Sequence, residues 1–568
     1  MADDEEIFPE LKEDRRIFPN IPRDGRSRRA MGERYLGNIP IEVYAEPTDE
    51  QPLFVAASKD LSYSGLLVTV PGDGAYPDIG DKVFLRFSIT PGTLPEGYES
   101  RVAVEATIVR IGSETGEIAL QFAETLDTLL HRSRWRWFEW MGVLSIILTL
   151  IVIVQLRIDS VFYFTFDVPV FLFGILSSLF LISRFVFTLF YRTVPVDENY
   201  TPSVTVIIPC FNEEKFITRT IRCALDQNYP PDKLRVILVD DGSTDRSVER
   251  VREFKEQCRG LIEDERFSIV VHAKNGGKRE VMATGARMAT TELLVFVDSD
   301  SFLESESVRQ LVQPLKNPRI GAVCGRCDVE NKWTNYITKM QTVRYYIAFQ
   351  VFKAAESIFN SVTCLSGPLS CYRRELVMKH IEPWLSQTFL GKRATFGDDR
   401  SLTNFLLPDN WVVYQHTSVC STIVPSTIRQ FLKQQMRWKR SWLRESLRAG
   451  KFMWKREPFM AVSFYGGLML PVLAPIVVIR ALVVIPIIYG YFPIVFLVGF
   501  VMLAMLMSAT YLFLRRSKMW IYGGLFCFFY LAILLWQMLP AIITFWKAEW
   551  GTRATIHDEP AKDKTTTT

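Results

Sequence analysis

Three acidic motifs carry the chemistry that this sequence suggests. Asp240 and Asp241 close the apolar run "RVILVDDGS", Asp298 and Asp300 close "ELLVFVDSD", and Asp398 and Asp399 stand in "TFGDDRSLTN". A D-x-D pair sets two oxygen donors near one hard cation, Mg2+ or Mn2+, and such a cation can hold a diphosphate. Taken singly, an acidic pair is more often a solvated loop or a helix cap. Three of them on the strand ends of one island point instead to a single sheet edge, where ligands bind. The run "QQMRW", Gln434 to Trp438, supplies a complement. Arg437 suits phosphate charge, and Trp438 offers an apolar face on which a sugar ring can stack. The bland reading of that run is a membrane-anchoring Trp beside a headgroup-binding Arg.

The elements that must position these groups belong to a membrane protein with large soluble parts. Hydrophobic residues make up 48% of the 568, yet 23% are charged, a mixture that suits neither class alone. The net charge of +4 gives no ground for a nucleic-acid partner. Nine cysteines lack a repeated framework, and Cys324 with Cys327 forms a lone C-x-x-C with no second pair, so zinc or redox chemistry is disfavoured. The five histidines show no metal-ligand spacing. The N-terminus is charged and acidic rather than an apolar signal, which places it in the cytoplasm with reduced thiols.

Residues 1–22 read as a disordered acidic tail. Residues 23–130 contain short β-rich runs separated by Gly, Pro and Asp turns, the pattern of a small β-barrel. Two apolar runs within 135–192 are each near the ~20 residues needed to cross a bilayer. Arginines flank both, as a hairpin with cytoplasmic ends requires. Residues 200–424 alternate strands and helices and predict a largely parallel α/β sheet. Residues 425–457 are strongly basic with apolar positions at helical spacing, an interfacial amphipathic helix. Residues 458–546 hold further apolar runs, enough for two crossings and a last segment. Basic residues flank that last segment on both sides, which favours re-entry over a fifth crossing that would put the C-terminus outside. Residues 547–568 form a loop and tail.

The motifs DDG, DSD, GDD and QQMRW, in this order and between these apolar runs, resemble processive family 2 glycosyltransferases. Hyaluronan synthases and their chitin- and cellulose-synthase relatives are the nearest likeness, supported by "NGGKREVMATG", "LSGPLSCYRRE" and "WGTR". The resemblance implies a GT-A-like domain on interfacial helices beside a transmembrane channel in a bacterial inner membrane. It places Asp240 and Asp241 near the uridine of a UDP-sugar, Asp298 and Asp300 near its diphosphate and Mg2+ or Mn2+, and Lys278 on the nucleotide-sugar. Asp399 becomes the general base with Asp398 beside it, Gln434, Arg437 and Trp438 bind diphosphate and acceptor, and Trp550, Gly551 and Thr552 form a closing loop. The chain ends soon after "WGTR", whereas hyaluronan synthases continue. A homodimer or a channel-completing partner would then supply the remaining wall around the growing polysaccharide.

Asp60, Ser62 and Gly65 have the spacing D-x-S-x-x-G, and arginines including Arg29 and Arg34 precede them. This resembles a PilZ domain, which implies cyclic di-GMP as an allosteric activator. The two arginines are five apart where the family expects four. A basic tail beside an ordinary strand turn is the bland alternative. Three other functions compete with a regulated N-acetylglucosamine-containing polymer synthase: a cellulose-like synthase using UDP-glucose, a non-processive transferase to a lipid, and a catalytically dead cyclic di-GMP receptor.

Overall fold

The computed structural model describes residues 35–36, 39–47, 49, 51–62, 65–70, 77–89, 100–112, 117–124, 126, 155, 167–259, 264–393, 397–515 and 517–546. Arg29, Arg34, Trp550, Gly551, Thr552, the 1–22 tail and nearly all of the first apolar run lie outside the described residues. The chain divides into two units, 22–166 with 493–528, and 1–21 with 167–492 and 529–568.

The first unit contains a closed antiparallel barrel. Its strands are β1 (Tyr35–Leu36), β2 (Pro40–Tyr44), β3 (Phe54–Leu61), β4 (Gly65–Thr69), β5 (Lys82–Ile89), β6 (Ser100–Gly112) and β7 (Glu117–Phe122). The order β1-β3-β2-β5-β6-β7-β4 closes because β3 also pairs with β4. Alternation drives the closure: in β7, Ile118, Leu120 and Phe122 point inward and Gln121 outward. Ile41, Val43, Leu61, Val68, Leu85 and Val104 complete the core from the facing strands. Among the described strands closure leaves only β1 at an edge, so the six main strands satisfy one another's backbones.

The second unit is built on an eight-stranded sheet. Its strands are β8 (Val204–Cys210), β9 (Leu234–Asp240), β10 (Phe267–Val271), β11 (Leu293–Phe296), β12 (Ser301–Leu303), β13 (Ile320–Val329), β14 (Ser370–Arg373) and β15 (Trp411–Thr422). They lie in the order β10-β9-β8-β11-β14-β13-β15-β12. Every residue of β8 is buried, as expected of a strand covered on both faces. The expectation of a largely parallel sheet holds for β10, β9, β8 and β11. Beyond β11 the sheet is mixed, because β14 runs antiparallel to both β11 and β13. Strand polarity in that half depends on long-range pairing, which apolar runs do not encode.

Helices used below are α1 (Val168–Phe190), α2 (Lys278–Met288), α3 (Tyr336–Ile347), α4 (Ala354–Ile358), α5 (Arg374–Leu385), α6 (Asp398–Leu406) and α7 (Ile428–Ala449). A π-helical turn, Ala348–Lys353, joins α3 to α4 without a break. Among the described residues four helices are long and apolar enough to cross a membrane: Val168–Phe190, Pro458–Tyr489, Ile494–Leu512 and Lys518–Ile542. The last has 25 residues, a full crossing by length. Arg480, the lone charge in the apolar stretch after 458, forms a two-pronged ion pair with Asp167 at the N-cap of α1. The pairing gives the lone cation of that apolar stretch its counter-ion.

Candidate active site

The acidic motifs meet at the C-terminal edge of β9 and β11, but they divide the work unequally. Asp240 is fully buried, and its two oxygens are taken by the Ser243 amide (2.8 Å) and hydroxyl. Asp241 accepts the amides of Gly276 and Gly277 at 2.8 Å each. Burial pushes its carboxyl up, and those two bonds oppose the shift. The pair expected beside a uridine therefore shapes two turns: Asp240 faces no open space, and Asp241 pins the "NGG" turn from which α2 starts.

Lys278, the first residue of α2, is where the remaining motifs converge. Its Nζ lies 2.5 Å from Asp298 Oδ1 and 4.0 Å from Asp399 Oδ1. Asp399 Oδ2 in turn accepts the Gly367 amide at 3.0 Å. Burial disfavours the Lys278 charge, but Asp298 and Asp399 outweigh it and hold the ammonium well above its ordinary range. Asp399 keeps 32% of its side chain exposed, enough to face a substrate. Its carboxyl is nevertheless pushed up, first by desolvation and then by Asp298 and Asp398, against the pull of Lys278. A carboxylate raised in this way is a better proton acceptor than one in water.

Asp300 is pushed up to about 7 by burial and by the charge of Asp298. Thr422 contacts it at 3.3 Å. Among the described residues no group of three His, Cys, Asp or Glu side chains is placed to hold a metal ion by itself. Asp298 and Asp300 do fit as the two protein oxygens of an ion that draws its other ligands from a diphosphate and water. The strain of placing two carboxylates together, visible in Asp300, is what such a cation would relieve.

The two acids of GDD have opposite fates. Asp398, 4% exposed, pairs with Arg279 Nε at 2.9 Å. Arg279 Nη1 continues to the Trp384 carbonyl (2.9 Å) and Gln387 (3.1 Å). Gln387 donates to Glu445 of α7 at 3.0 Å, and Asn404 of α6 donates to the Glu445 carbonyl at 2.9 Å. Asp398, expected beside the base, thus ties α2, α6 and α7 together. Gly397 makes the split possible. Its left-handed φ of 83° turns the chain into α6, and a Cβ there would collide with the Ser441 hydroxyl of α7. Helical geometry then points consecutive residues about 100° apart, one into the anchor and one toward Lys278.

Helix α7 carries QQMRW across the front. Thr427 caps its N-terminus through the Gln430 amide. Phe431 and Leu443 face inward, and Arg440 and Lys439 reach Thr544 and the Leu534 carbonyl near the last membrane helix. Burial draws the Arg437 guanidinium down, while Asp298 and Asp399 work the other way, so Arg437 feels both acids of the cleft. Trp438 sits among Tyr345 (6.3 Å between rings) and the Arg344 guanidinium (5.5 Å). Gln434 Oε1 is buried without a hydrogen-bond partner among the described residues.

Sequence reasoning missed Arg279, Gln387 and Glu445, and it gave Gly367 no role. Arg279 and Gly367 both lie inside quoted motifs, "NGGKREVMATG" and "LSGPLSCYRRE". Gln387 and Glu445 carried no signal, since only the tertiary approach of α7 connects them.

In the barrel, Ser62 shapes the β3–β4 turn. Its hydroxyl donates to the Gly65 carbonyl at 2.8 Å and accepts the Gly65 amide at 3.2 Å. Gly65 lies against the Leu120 carbonyl with no room for a Cβ. Two of the three motif residues thus have structural work. The register also pairs Leu36 with Asp60 and Tyr35 with Leu61, so the strand that follows Arg34 runs along the motif strand.

Comparison with known proteins agrees with both halves. The description "Glycosyl transferase family 2" matches residues 205–381, and "PilZ domain" matches residues 26–134. An N-acetylglucosaminyltransferase of Rhizobium meliloti is 34% identical over 275 residues, 48% of this chain and 63% of that one. A hyaluronan synthase of Streptococcus pyogenes serotype M3 is 30% identical over 311 residues, 53% of this chain and 71% of that one. A mannosyltransferase of Pyrobaculum calidifontis superposes with a TM-score of 0.47 at 21% identity, covering 66% of this chain and 98% of that one. With the sheet-edge carboxylates, the Lys278 cluster and the overlap with a hyaluronan synthase in place, the chain belongs to the family 2 glycosyltransferases and carries a PilZ domain ahead of its catalytic unit.

Proposed function

We propose that this protein is a processive, inverting β-glycosyltransferase of a bacterial inner membrane. It polymerises a UDP-sugar, with N-acetylglucosamine favoured, and passes the polysaccharide across the bilayer. The observation that carries this reading is the convergence of Lys278, Asp298 and Asp399 beneath the QQMRW helix. The N-acetylglucosaminyltransferase and hyaluronan synthase relatives support the choice of sugar. The four apolar helices support the membrane setting, with both soluble units assigned to the cytoplasmic side.

The donor's diphosphate would lie between Lys278 and Arg437, which offset its charge. Mg2+ or Mn2+ held by Asp298 and Asp300 would stabilise the departing UDP as a Lewis acid. The acceptor hydroxyl, on a sugar stacked at Trp438, gives its proton to Asp399 and attacks the anomeric carbon opposite the leaving group. The C–O bond to UDP breaks as the new one forms, so an α-linked donor gives a β-linked product. General-base help of this kind contributes about 10²–10⁴-fold in rate.

The PilZ match and the β1–β3 register support cyclic di-GMP as the activator, with Arg29, Arg34, Asp60, Ser62 and Gly65 as its contacts. The test is purified protein with a panel of UDP-sugars, with and without cyclic di-GMP. The expected result is a long polymer from UDP-N-acetylglucosamine, alone or with UDP-glucuronic acid, and stimulation by the dinucleotide. Release of UDP from no donor would overturn the enzyme reading, and a single sugar on lipid would overturn processivity.

A further inference from the structure

The loop 361–369 that touches the base is held from behind by one helix turn. Its amides are used in succession. Val362 donates to the Val412 carbonyl (3.0 Å), Thr363 to Glu356 (2.9 Å), Leu365 to Thr403 (3.1 Å) and Gly367 to Asp399 (3.0 Å). Glu356 also meets the Thr363 hydroxyl at 3.2 Å. Lys353 donates to the Cys364 carbonyl and lies 3.4 Å from Cys324 Sγ. A Cβ on Gly367 would stand 2.9 Å from Asp298 and 3.0 Å from Lys278 Nζ, so the loop bears on all three cleft groups.

Lys353 and Glu356 sit on either side of the junction between the π-helical turn and α4. A π turn inside a helix is costly and recurs where side chains must be re-aimed for function. The turn is itself braced by α1. The Thr188 hydroxyl donates to the Val351 carbonyl at 2.8 Å, and Phe187 packs edge-on against Phe359 at 4.9 Å. Arg184 of α1, 2% exposed, feels the charge of Glu356.

We propose that Lys353 and Glu356 are positioning residues for the transfer step: they hold loop 361–369 so that the Gly367 amide keeps Asp399 aimed at the acceptor, and α1 braces them. Neither touches substrate. The role rests on Asp399 being the base, and the test separates the two claims. A small misplacement of a reacting group can lower rate by about 100-fold, and the loss belongs in kcat because the donor's own contacts stay intact.

The experiment uses the full-length protein in detergent or nanodiscs with UDP-N-acetylglucosamine, following UDP release, polymer formation and UDP affinity by calorimetry. Glu356→Ala should lower kcat by about 10–100-fold with UDP affinity nearly unchanged. Glu356→Gln, which keeps an acceptor for the Thr363 amide, should recover most of the rate. Lys353→Met should resemble Glu356→Ala, and it decides alone if Glu356→Ala fails to fold. Asp399→Asn in the same assay should show no transfer. Full kcat in Glu356→Ala or Lys353→Met beside an inactive Asp399→Asn overturns the positioning role only. Equal losses in Glu356→Ala and Glu356→Gln, or a loss explained by UDP affinity, overturn it as well. An active Asp399→Asn overturns the base assignment and this inference with it.

Discussion

Replacing Arg279 by Met tests whether Asp398 is an anchor rather than a second catalytic acid. The change keeps most of the side-chain length but strips the charge from a pair held at 2.9 Å, with both partners at most 5% exposed. Breaking a buried pair from one side costs about 3–5 kcal/mol, because a charge remains without its counterion. For a domain near 200 residues each kcal/mol shifts the melting midpoint by about 2–4 °C. The expected drop is therefore roughly 6–20 °C. Asp398→Asn should cost less, since Arg279 still bonds to the Trp384 carbonyl and Gln387. Arg279→Met with Asp398→Leu should lose less than the sum of its two single changes, because no unpaired charge is left inside. The assay is thermal unfolding of the detergent-purified protein, followed by the monodisperse fraction on size exclusion. An Arg279→Met midpoint within about 2 °C of the parent, or strict additivity of the two changes, would refute the anchoring role.

Other outcomes follow from the same geometry. Asp300 has a raised pKa in the folded chain, so the unfolded state binds fewer protons between the ordinary carboxylate value of 3.8 and about 7. Stability must fall as pH rises through that window. With chelator present, Asp300→Asn should melt above the parent at pH 8 and lose that advantage toward pH 4. Because the charge of Asp398 helps raise the Asp399 carboxyl, Asp398→Asn should move the acid limb of the pH–rate profile to lower pH. Gly397→Ala should lose most activity, since α6 and α7 must part to admit the methyl group, and crosslinking between cysteines placed on the two helices would report the gap. Calorimetry on the whole protein should detect cyclic di-GMP, with binding lost in Arg34→Ala; no heat from the parent would retire the activator.

Much of the fold was legible because burial wrote itself into residue type. Fully covered strands such as β8 read as unbroken apolar runs, and half-covered barrel strands such as β7 read as alternation. The antiparallel return of β14 was not legible, because its four residues, Ser370 to Arg373, form no apolar run and carry no sign of direction. In the site, Lys278, Asp298 and Asp399 could be found by motif and were brought together as expected. The resemblance set Asp399 apart from Asp398, but the motifs did not show that Asp240 and Asp241 are taken up by turns. Asp240 and Asp398 differ from Asp298 and Asp399 in their hydrogen-bond partners: Ser243 holds Asp240 from within the same turn, while Arg279 reaches Asp398 from 119 positions away.

The ion pair between Asp167 and Arg480 spans 313 positions of the chain. It therefore imposes an order on how the protein is made. When α1 first emerges from the ribosome, the cation that will neutralise its N-cap has not yet been synthesised. Until then the Val170 amide is the partner of the aspartate within its own helix. The pair can form only once the Pro458–Tyr489 helix has been made. A chain that stopped before residue 480 would lack this cation, so the pair at the start of α1 reports that the Pro458–Tyr489 helix is in place.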